Sequence, residues 1–283
     1  MARAQATAVS TKNDCLMDRG LFLIFALTFI IHLIGTLAYS VRISATRTRR
    51  IAISLSLFNI LVLVSRTSNS FQAPLLAKRV EQKLATGANG AAITDFRWLL
   101  VSATLASIVG AFFIPTFQRL FARYVEAFAR YRSVPRIFAR LFSPSASAQF
   151  WKSIRVPTWR NITNAYQDKH IPWTVILLNT VAMAIWTVGV FSALYAAYLR
   201  PELRVTSSQL SAIINGVATI LLFMFIDPYL SMLTDELVEG KVDDPYFRRS
   251  IVWLTGSRIV GTVMAQFLLI PAALWIVTVA EWL

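Results

Sequence analysis

Long apolar runs alternate with short polar and basic segments along the whole chain. Six of these runs reach about 20 residues, the length that an α-helix needs to cross a ~30 Å hydrocarbon core. This pattern predicts an all-α fold, a polytopic membrane bundle with six transmembrane helices. The predicted spans cover residues 21–41, 51–74, 97–117, 172–198, 206–226 and 251–280.

The polar segments divide the chain into a tail, the bundle and one long loop. Residues 1–20 are polar and are predicted to be a disordered N-terminal tail, followed by one transmembrane domain over 21–283 that includes a cytoplasmic loop, 118–171. Apolar residues recur at three- and four-residue steps over 117–131, and arginines fall between them. This spacing predicts a basic amphipathic helix that lies on an anionic membrane surface. The arginines are Arg119, Arg123 and Arg130.

The second span carries an arginine at membrane depth. Arg66 lies about 22 Å from residue 51 along an ideal helix, and burying it there costs roughly 2.5–3.5 kcal/mol. At 100° per residue, Asn59 shares its face and Asn69 lies on the flank. Such a polar stripe is expected to face other helices or a water-filled cavity. The alternative is a structural arginine that snorkels or pairs with a carbonyl.

Other polar residues occur in or near the remaining spans. Arg258 and Gln266 lie two turns apart on the sixth span, while Arg42 and Asp227 lie near the predicted cytoplasmic ends of spans one and five. Arginines at successive depths, with Arg66 in the outer half and Arg258 in the inner half, suit an anion such as a phosphate. The structural alternative is that Asp227 is the counter-ion of Arg42 or Arg258.

A histidine in the first span is open to two interpretations. His32 shares a helix face with Thr28 and Thr36. A histidine on such a face is commonly a hydrogen-bonded packing residue. The alternative is a proton-accepting group in a transport path.

The distribution of basic residues predicts how the chain is oriented in the membrane. The net charge is +14, and most of the 28 Lys and Arg residues lie in the segments after spans one, three and five. The positive-inside rule therefore predicts that these segments are cytoplasmic and that both termini are extracytoplasmic. The same rule accounts for the basic residues without nucleic acid and leaves anionic lipids as the next partner. The single cysteine, Cys15, excludes an intrachain disulfide.

Motifs of enzymatic chemistry are absent from the sequence. No H-E-x-x-H, G-x-G-x-x-G, Walker A or C-x-x-C pattern occurs, so nothing indicates zinc proteolysis, nucleotide binding or ATP-driven pumping. The sequence therefore predicts a transporter rather than an enzyme, with no cofactor and no metal. It leaves a homo-oligomer open.

Several stretches resemble one family of bacterial membrane proteins. They are H-L-I-G-T-L-A-Y-S-V-R (32–42), R-T-R-R-I-A-I-S-L-S-L-F-N (47–59), V-L-V-S-R-T-S-N-S-F-Q-A-P (62–74), D-E-L-V-E-G-K (235–241) and Y-F-R-R-S-I-V-W-L-T-G-S-R (246–258). These stretches are similar to the Amj family, the alternate lipid II flippases of bacteria, and the likeness covers residues 18–283. It implies six spans in the bacterial plasma membrane and transfer of the lipid-linked peptidoglycan precursor, lipid II, to the outer leaflet.

The resemblance brings no established site residues, so the site hypothesis comes from the residues themselves. Arg66 and Arg258 are predicted to contact the diphosphate of the undecaprenyl-linked precursor, and asparagines and glutamines to contact its sugars or peptide. Alternatives are a transporter of another polyprenyl-phosphate lipid, a non-transporting scaffold for envelope synthesis, and an enzyme acting on polyprenyl phosphates. The complete candidate set is Arg66, Arg258, Asn59, Asn69, Gln72, Gln266, Arg42 and His32, with Asp227 as counter-ion.

Overall fold

A computed structural model describes residues 18–87, 91–131, 151–155 and 172–283, and these contain long helices and no strand. Six helices are long and apolar enough to cross a membrane, which confirms the predicted fold class. Of the predicted tail, only residues 18–20 are described, and there α1 begins. The helices are α1 (Arg19–Thr48), α2 (Ile51–Ala85), α3 (Ala91–Tyr131), α4 (Trp173–Leu199), α5 (Pro201–Glu239) and α6 (Asp244–Trp282).

Local capping sets several helix ends. Asp18 caps α1 by accepting a hydrogen bond from the Leu21 amide at 2.7 Å, and Asp243 caps α6 by accepting one from the Tyr246 amide at 3.0 Å. Arg49 adopts a left-handed conformation, φ 53°, that turns the chain sharply from α1 into α2. This short turn places α1 and α2 antiparallel and side by side.

The second helix is longer than its apolar run predicts. The predicted end of this span at Pro74 and the predicted start of the next at residue 97 are both wrong, because α2 continues to Ala85 and α3 starts at Ala91. Pro74 lies on the exposed face, where a proline is tolerated in a membrane helix. Beyond it, Leu76 and Val80 continue an i, i+4 apolar stripe into a core cluster with α1, α3, α4 and α6.

The acidic residues around this extension are paired with its cations. Arg79 binds Asp18 at 2.7 Å and Asp95 at 2.5 Å, while Lys83 binds Asp95 at 2.6 Å. Burial opposes ionisation of Asp18, but the Leu21 amide and the Arg79 guanidinium outweigh it and lower the pKa of this carboxyl. The ion cluster thereby ties the starts of α1 and α3 to the end of α2.

A π-helical turn carries α5 through its proline. A proline at position 228 would ordinarily break or kink a helix. Instead, α5 continues through a π turn at Leu222–Ile226 into Asp227–Glu239. Proline lacks the amide that a regular turn requires and its ring crowds the carbonyl four residues earlier, so the wider turn relieves that clash. The first part of the acidic stretch 234–244 is therefore still helical, and the chain turns only at Gly240.

The predicted surface helix is continuous with α3. Its apolar residues pack against the start of α2 rather than standing free: Val125 and Leu57 form a cluster with Tyr124, Phe128 and Ile60. Binding of this segment to anionic lipid stays a prediction. Most of the predicted cytoplasmic loop, residues 132–150 and 156–171, lies outside the described part of the chain.

Four helices supply the interior of the bundle and two lie at its edge. The apolar spans of α2 and α5 are 17% and 22% buried, against 50% for α3 and α4, so α2 and α5 are peripheral. Separate apolar clusters fill the two ends of the bundle, one around Phe96 and the other around Phe247. Between these clusters, polar side chains of α1, α4 and α6 form a buried layer, which contains Thr36, Asn179, Ser257, Arg258 and Thr262.

The helices α4 and α6 meet closely at Gly261. This glycine and Ala265, one turn further along α6, form a notch of small residues, and both are buried. A Cβ atom on Gly261 would lie 2.6 Å from the Thr180 carbonyl oxygen and 2.7 Å from the Met183 Cβ. The notch is therefore required for the observed separation of the two helices.

We expect Gly261→Ala to destabilise the bundle. The added methyl group meets backbone that cannot yield easily, and overpacking of this kind costs about 1–3 kcal/mol. The midpoint of thermal unfolding of the purified protein measures the effect. Gly256→Ala is the matched control on the same helix, because an added Cβ there would meet no atom within 4 Å, and it should leave the midpoint unchanged or raise it. Equal midpoints for the two variants would contradict the close approach.

Candidate functional site

Arg258 is the most buried arginine or lysine among the described residues, at 9% exposed. Its Nε donates to the Thr36 hydroxyl of α1 at 3.1 Å, and one terminal nitrogen donates to the Met183 sulfur of α4 at 2.9 Å. Sulfur is a weak acceptor, and no carboxylate within the described residues contacts this guanidinium. Arg258 therefore keeps hydrogen-bonding capacity that its neighbours leave unused.

Small residues on α1 make room for this guanidinium. A Cβ atom on Gly35 would lie 2.3 Å from an Arg258 terminal nitrogen, so only glycine permits the contact. Thr36, the next residue, accepts from Arg258 and donates to the His32 carbonyl at 2.9 Å. Since α1 presents a backbone surface and one hydroxyl here, the arginine is held without being neutralised.

Unused polar atoms surround Arg258. His32 is 5% exposed and lies one turn before Thr36, which accepts from Arg258. The His32 Nδ1 has no hydrogen-bond partner among the described residues. The Asn179 amide donates to Ser257 at 2.7 Å and to the Leu254 carbonyl at 3.0 Å, while its own oxygen is unpaired. Such vacant acceptors and donors in a buried layer are costly unless a ligand or water engages them.

The two predicted glutamines are used structurally. Gln72 is buried and donates to the Thr28 hydroxyl at 2.6 Å, which joins α2 to α1. Gln266 is half-buried and donates to the Arg97 carbonyl at 3.1 Å, which joins α6 to α3. Neither contacts Arg258 in this structure, so their predicted contacts with sugars or peptide remain hypotheses.

Arg42 has a counter-ion, and it is Asp227. The two side chains lie 3.2 Å apart, and the Arg42 guanidinium also donates to Ser231 at 3.2 Å. The pairing that the sequence left open is thus between α1 and α5 near one end of the bundle. Arg258 is not part of it.

The polar stripe of α2 faces outward. Arg66, Asn59 and Asn69 are exposed, and the Arg66 side chain makes no hydrogen bond or ion pair within the described residues. Apolar residues of α2 that contact the α3 extension, such as Leu57 and Ile60, lie on the opposite flank of the helix. The structure therefore separates the stripe from the buried layer that contains Arg258.

Arg66 and Arg258 nevertheless lie at nearly the same depth. The helices α1 and α2 run antiparallel and are joined by the contact between Thr28 and Gln72. Six residues further along each helix, towards the other end of the bundle, Arg66 of α2 lies level with Ile34 of α1. Ile34 is next to Gly35, which Arg258 touches. The predicted successive depths are wrong. The reason is that α2, at about 52 Å, exceeds the ~30 Å hydrocarbon core, so its first residue does not mark the membrane boundary.

The middle of α2 packs loosely on the bundle. Ser54 and Leu57 are buried near one end and Gln72 near the other, but Phe58, Leu61 and Ser65, on the same bundle-facing line, are only half-buried. No residue over 58–67 is fully buried. The helix is thus anchored at both ends and only partly covered between them, at the depth of the two arginines.

Sequence reasoning found Arg258 and His32 but missed the residues that position them. Gly35, Met183 and Asn179 contribute contacts and space, yet none carries a motif. A residue pattern shows which side chains share a helix face, but α4 and α6 lie far from α1 along the chain. An Asn inside a strongly apolar span was the one available signal for the fourth helix.

Comparison with known proteins adds a family. The sequence profile of the Amj family, described as alternate to MurJ, matches residues 27–280. The chain belongs to the Amj family. It is 36% identical over 262 residues to a Bacillus subtilis (strain 168) protein named lipid II flippase Amj, with 92% of this chain and 96% of that relative covered. No solved structure matches the chain.

Membership confirms the resemblance drawn from the sequence and covers all the helices described above. The match begins within α1 and ends within α6, so the buried layer and the α2 stripe both lie inside it. Six apolar helices and this membership describe a multi-pass membrane protein of the Amj family.

The Arg42–Asp227 pair should stabilise the bundle measurably. Arg42 is largely buried, its side chain being 14% exposed, so loss of Asp227 leaves a cation with reduced solvation. In a double-mutant cycle with Arg42→Gln and Asp227→Asn, we expect a coupling energy of about 1 kcal/mol. Thermal or denaturant unfolding of purified variants provides the four stabilities.

The matched control is the pair Arg248–Asp244, which lies one turn apart on α6 with both side chains about half exposed. Exposed pairs of this kind contribute about 0.3–0.5 kcal/mol. A coupling energy for Arg42–Asp227 no larger than that of the control would show that the α1–α5 contact is incidental.

Proposed function

We propose that this Amj-family protein is a lipid II flippase, which moves undecaprenyl-diphosphate-linked peptidoglycan precursor from the inner to the outer leaflet of the bacterial plasma membrane. Membership over nearly the whole chain and the name of the 36% identical relative support this transport role over an enzymatic one. The structural observation that supports it most directly is Arg258, a guanidinium at mid-depth without a carboxylate partner.

Arg258 suits the diphosphate of the cargo. Its planar guanidinium binds phosphate oxygens through paired hydrogen bonds, and its spare donors have no protein acceptor in the described structure. A diphosphate that reaches mid-depth would otherwise be in hydrocarbon, where unpaired charge is very costly. His32 and Asn179, in the same buried part of the bundle, supply further polar atoms that have no hydrogen-bond partner among the described residues.

Arg66 is proposed to meet the headgroup from the other side of α1. It projects from the loosely packed part of α2 at the same depth, with Asn59 and Asn69 available for sugars or peptide. Movement of α2 away from its half-covered contact would open the buried layer laterally. The polyprenyl chain would then stay in lipid while the headgroup passes Arg258.

The proposed direction of transfer follows from charge. At the end where α1 begins, Arg79 and Lys83 are paired with acids, whereas Arg47, Arg49 and Arg50 crowd the opposite end. We place the second end, here named the basic end, in the cytoplasm, with both termini outside. Transfer then begins at the basic end.

Arginine replacements test the phosphate-binding role. Arg66→Lys and Arg66→Gln should leave folding intact, since the side chain is exposed and unpaired, but reduce exposure of lipid II at the outer leaflet. Arg258→Lys should also reduce this exposure, because lysine keeps the positive charge but lacks the planar, forked donors of the guanidinium. The measurement is outer-leaflet lipid II, detected with an impermeant reagent in cells depleted of other flippases, normalised to folded protein.

Lys78→Gln is the control for Arg66, because Lys78 is also an exposed cation of α2 but lies beyond Pro74. It should retain full activity. Wild-type activity per folded molecule in the Lys and Gln variants at both arginines would overturn their role. If the Arg258 variants fail to fold while the Arg66 variants keep full activity, Arg258 is a packing residue.

Cysteine labelling tests the topology. In a Cys15→Ser background, Thr86→Cys should react with an impermeant thiol reagent from outside intact cells, and Lys241→Cys should react only after permeabilisation. Both positions are exposed and lie in turns at opposite ends of the bundle. The reverse pattern would invert the proposed direction of transfer.

A further inference from the structure

Four arginines from three separate parts of the chain converge at the basic end. Partial burial, followed by the positive charges of Arg155, Arg47 and Arg123, lowers the pKa of Arg119. These three neighbours lie after α3, at the end of α1 and further along α3. Within the described residues, the side chains of Arg47, Arg119 and Arg155 form no hydrogen bond or ion pair with one another or with an acid. The tertiary structure thus concentrates like charges at one place, which is unfavourable without an anion.

Specific contacts hold Arg155 beside Arg119. The buried Thr116 hydroxyl accepts from the Arg155 amide at 3.1 Å and donates to the Arg155 carbonyl at 3.2 Å. Arg123 donates to the buried Ser153 hydroxyl at 2.8 Å. Since Thr116 and Arg123 lie one turn before and one turn after Arg119, residues 151–155 are fastened along the face of α3 that carries it.

The convergence lies close to the expected level of lipid headgroups. Arg119 follows the apolar part of α3, and the fastened segment carries Trp151, whose side chain is 72% exposed. Tryptophan is enriched at membrane–water interfaces, where its ring lies among headgroups. The sequence between α3 and α4 contains a single acidic residue, Asp168, so nearby acids are too few to neutralise the cluster.

We propose that Arg47, Arg119 and Arg155, with Arg123 beside them, form a binding site for a phosphate group of an inner-leaflet lipid. Guanidinium groups bind phosphate oxygens through forked hydrogen bonds, and several can share one phosphate. The positive-inside rule requires only that arginines lie on the cytoplasmic side of the membrane. The contacts made by Thr116 and Ser153 go further, because they hold specific arginines next to one another. The site does not depend on lipid II being the transported cargo.

Lipid binding to the purified full-length protein tests the site. Phosphatidylglycerol and phosphatidylcholine would be titrated separately and counted by native mass spectrometry. The wild type should prefer phosphatidylglycerol, and Arg119→Gln with Arg155→Gln should weaken that binding by about fivefold per arginine while binding of phosphatidylcholine stays constant. Arg97→Gln, which replaces an exposed arginine near the other end of the same helix, should keep wild-type affinity.

Equal binding of the two lipids by the wild type, or equal losses in the double variant and Arg97→Gln, would overturn the site. If the double variant fails to fold, Arg119→Lys replaces it. Lysine keeps the charge but loses the fork, so intact affinity in that folded variant would also overturn the guanidinium site.

Competition distinguishes the sources of phosphate. Displacement of phosphatidylglycerol by a polyprenyl diphosphate but not by inorganic pyrophosphate would establish a lipid headgroup as the occupant. Displacement by inorganic pyrophosphate as well would extend the site to soluble phosphates. Displacement by neither would contradict a phosphate-specific site.

Discussion

An arginine held inside the bundle without a carboxylate is the constraint on which the rest of the interior depends. Arg258 must be desolvated to lie among α1, α4 and α6, and hydrocarbon offers no water to compensate. It is tolerated because Thr36 accepts one hydrogen bond, Met183 offers a polarizable sulfur and Gly35 leaves space for the terminal nitrogen. The close approach of three helices follows from small and polar residues at this level.

The other charges of the protein show why Arg258 is distinctive. Arg79 and Lys83 are neutralised by Asp18 and Asp95, and Arg42 is paired with Asp227. Those ion pairs lie towards the helix ends and join neighbouring helices. Arg258 lies between the two apolar clusters and has capacity to spare, as a group that binds a passing anion requires.

The peripheral helices give the bundle a means of exposing this interior. Since α2 is anchored at its ends and only half-covered between them, its middle can separate from the bundle with a smaller loss of buried apolar area than any core helix. The exposed Arg66 lies on this stretch, level with Arg258. On the proposed function, a headgroup that leaves one guanidinium would therefore meet another at the same depth.

The sequence by itself determined the six spans, the family and the presence of two arginines at membrane depth, because apolar run length and residue identity are local properties. It did not determine that α2 runs to Ala85, since polar residues there are satisfied by partners on other helices. The pairing of Asp227 with Arg42 and the equal depth of Arg66 and Arg258 were decided only by tertiary structure. Helical periodicity defines the faces of each helix, whereas register and neighbours arise from contacts such as Thr28–Gln72 and Gly35–Arg258 between separate helices.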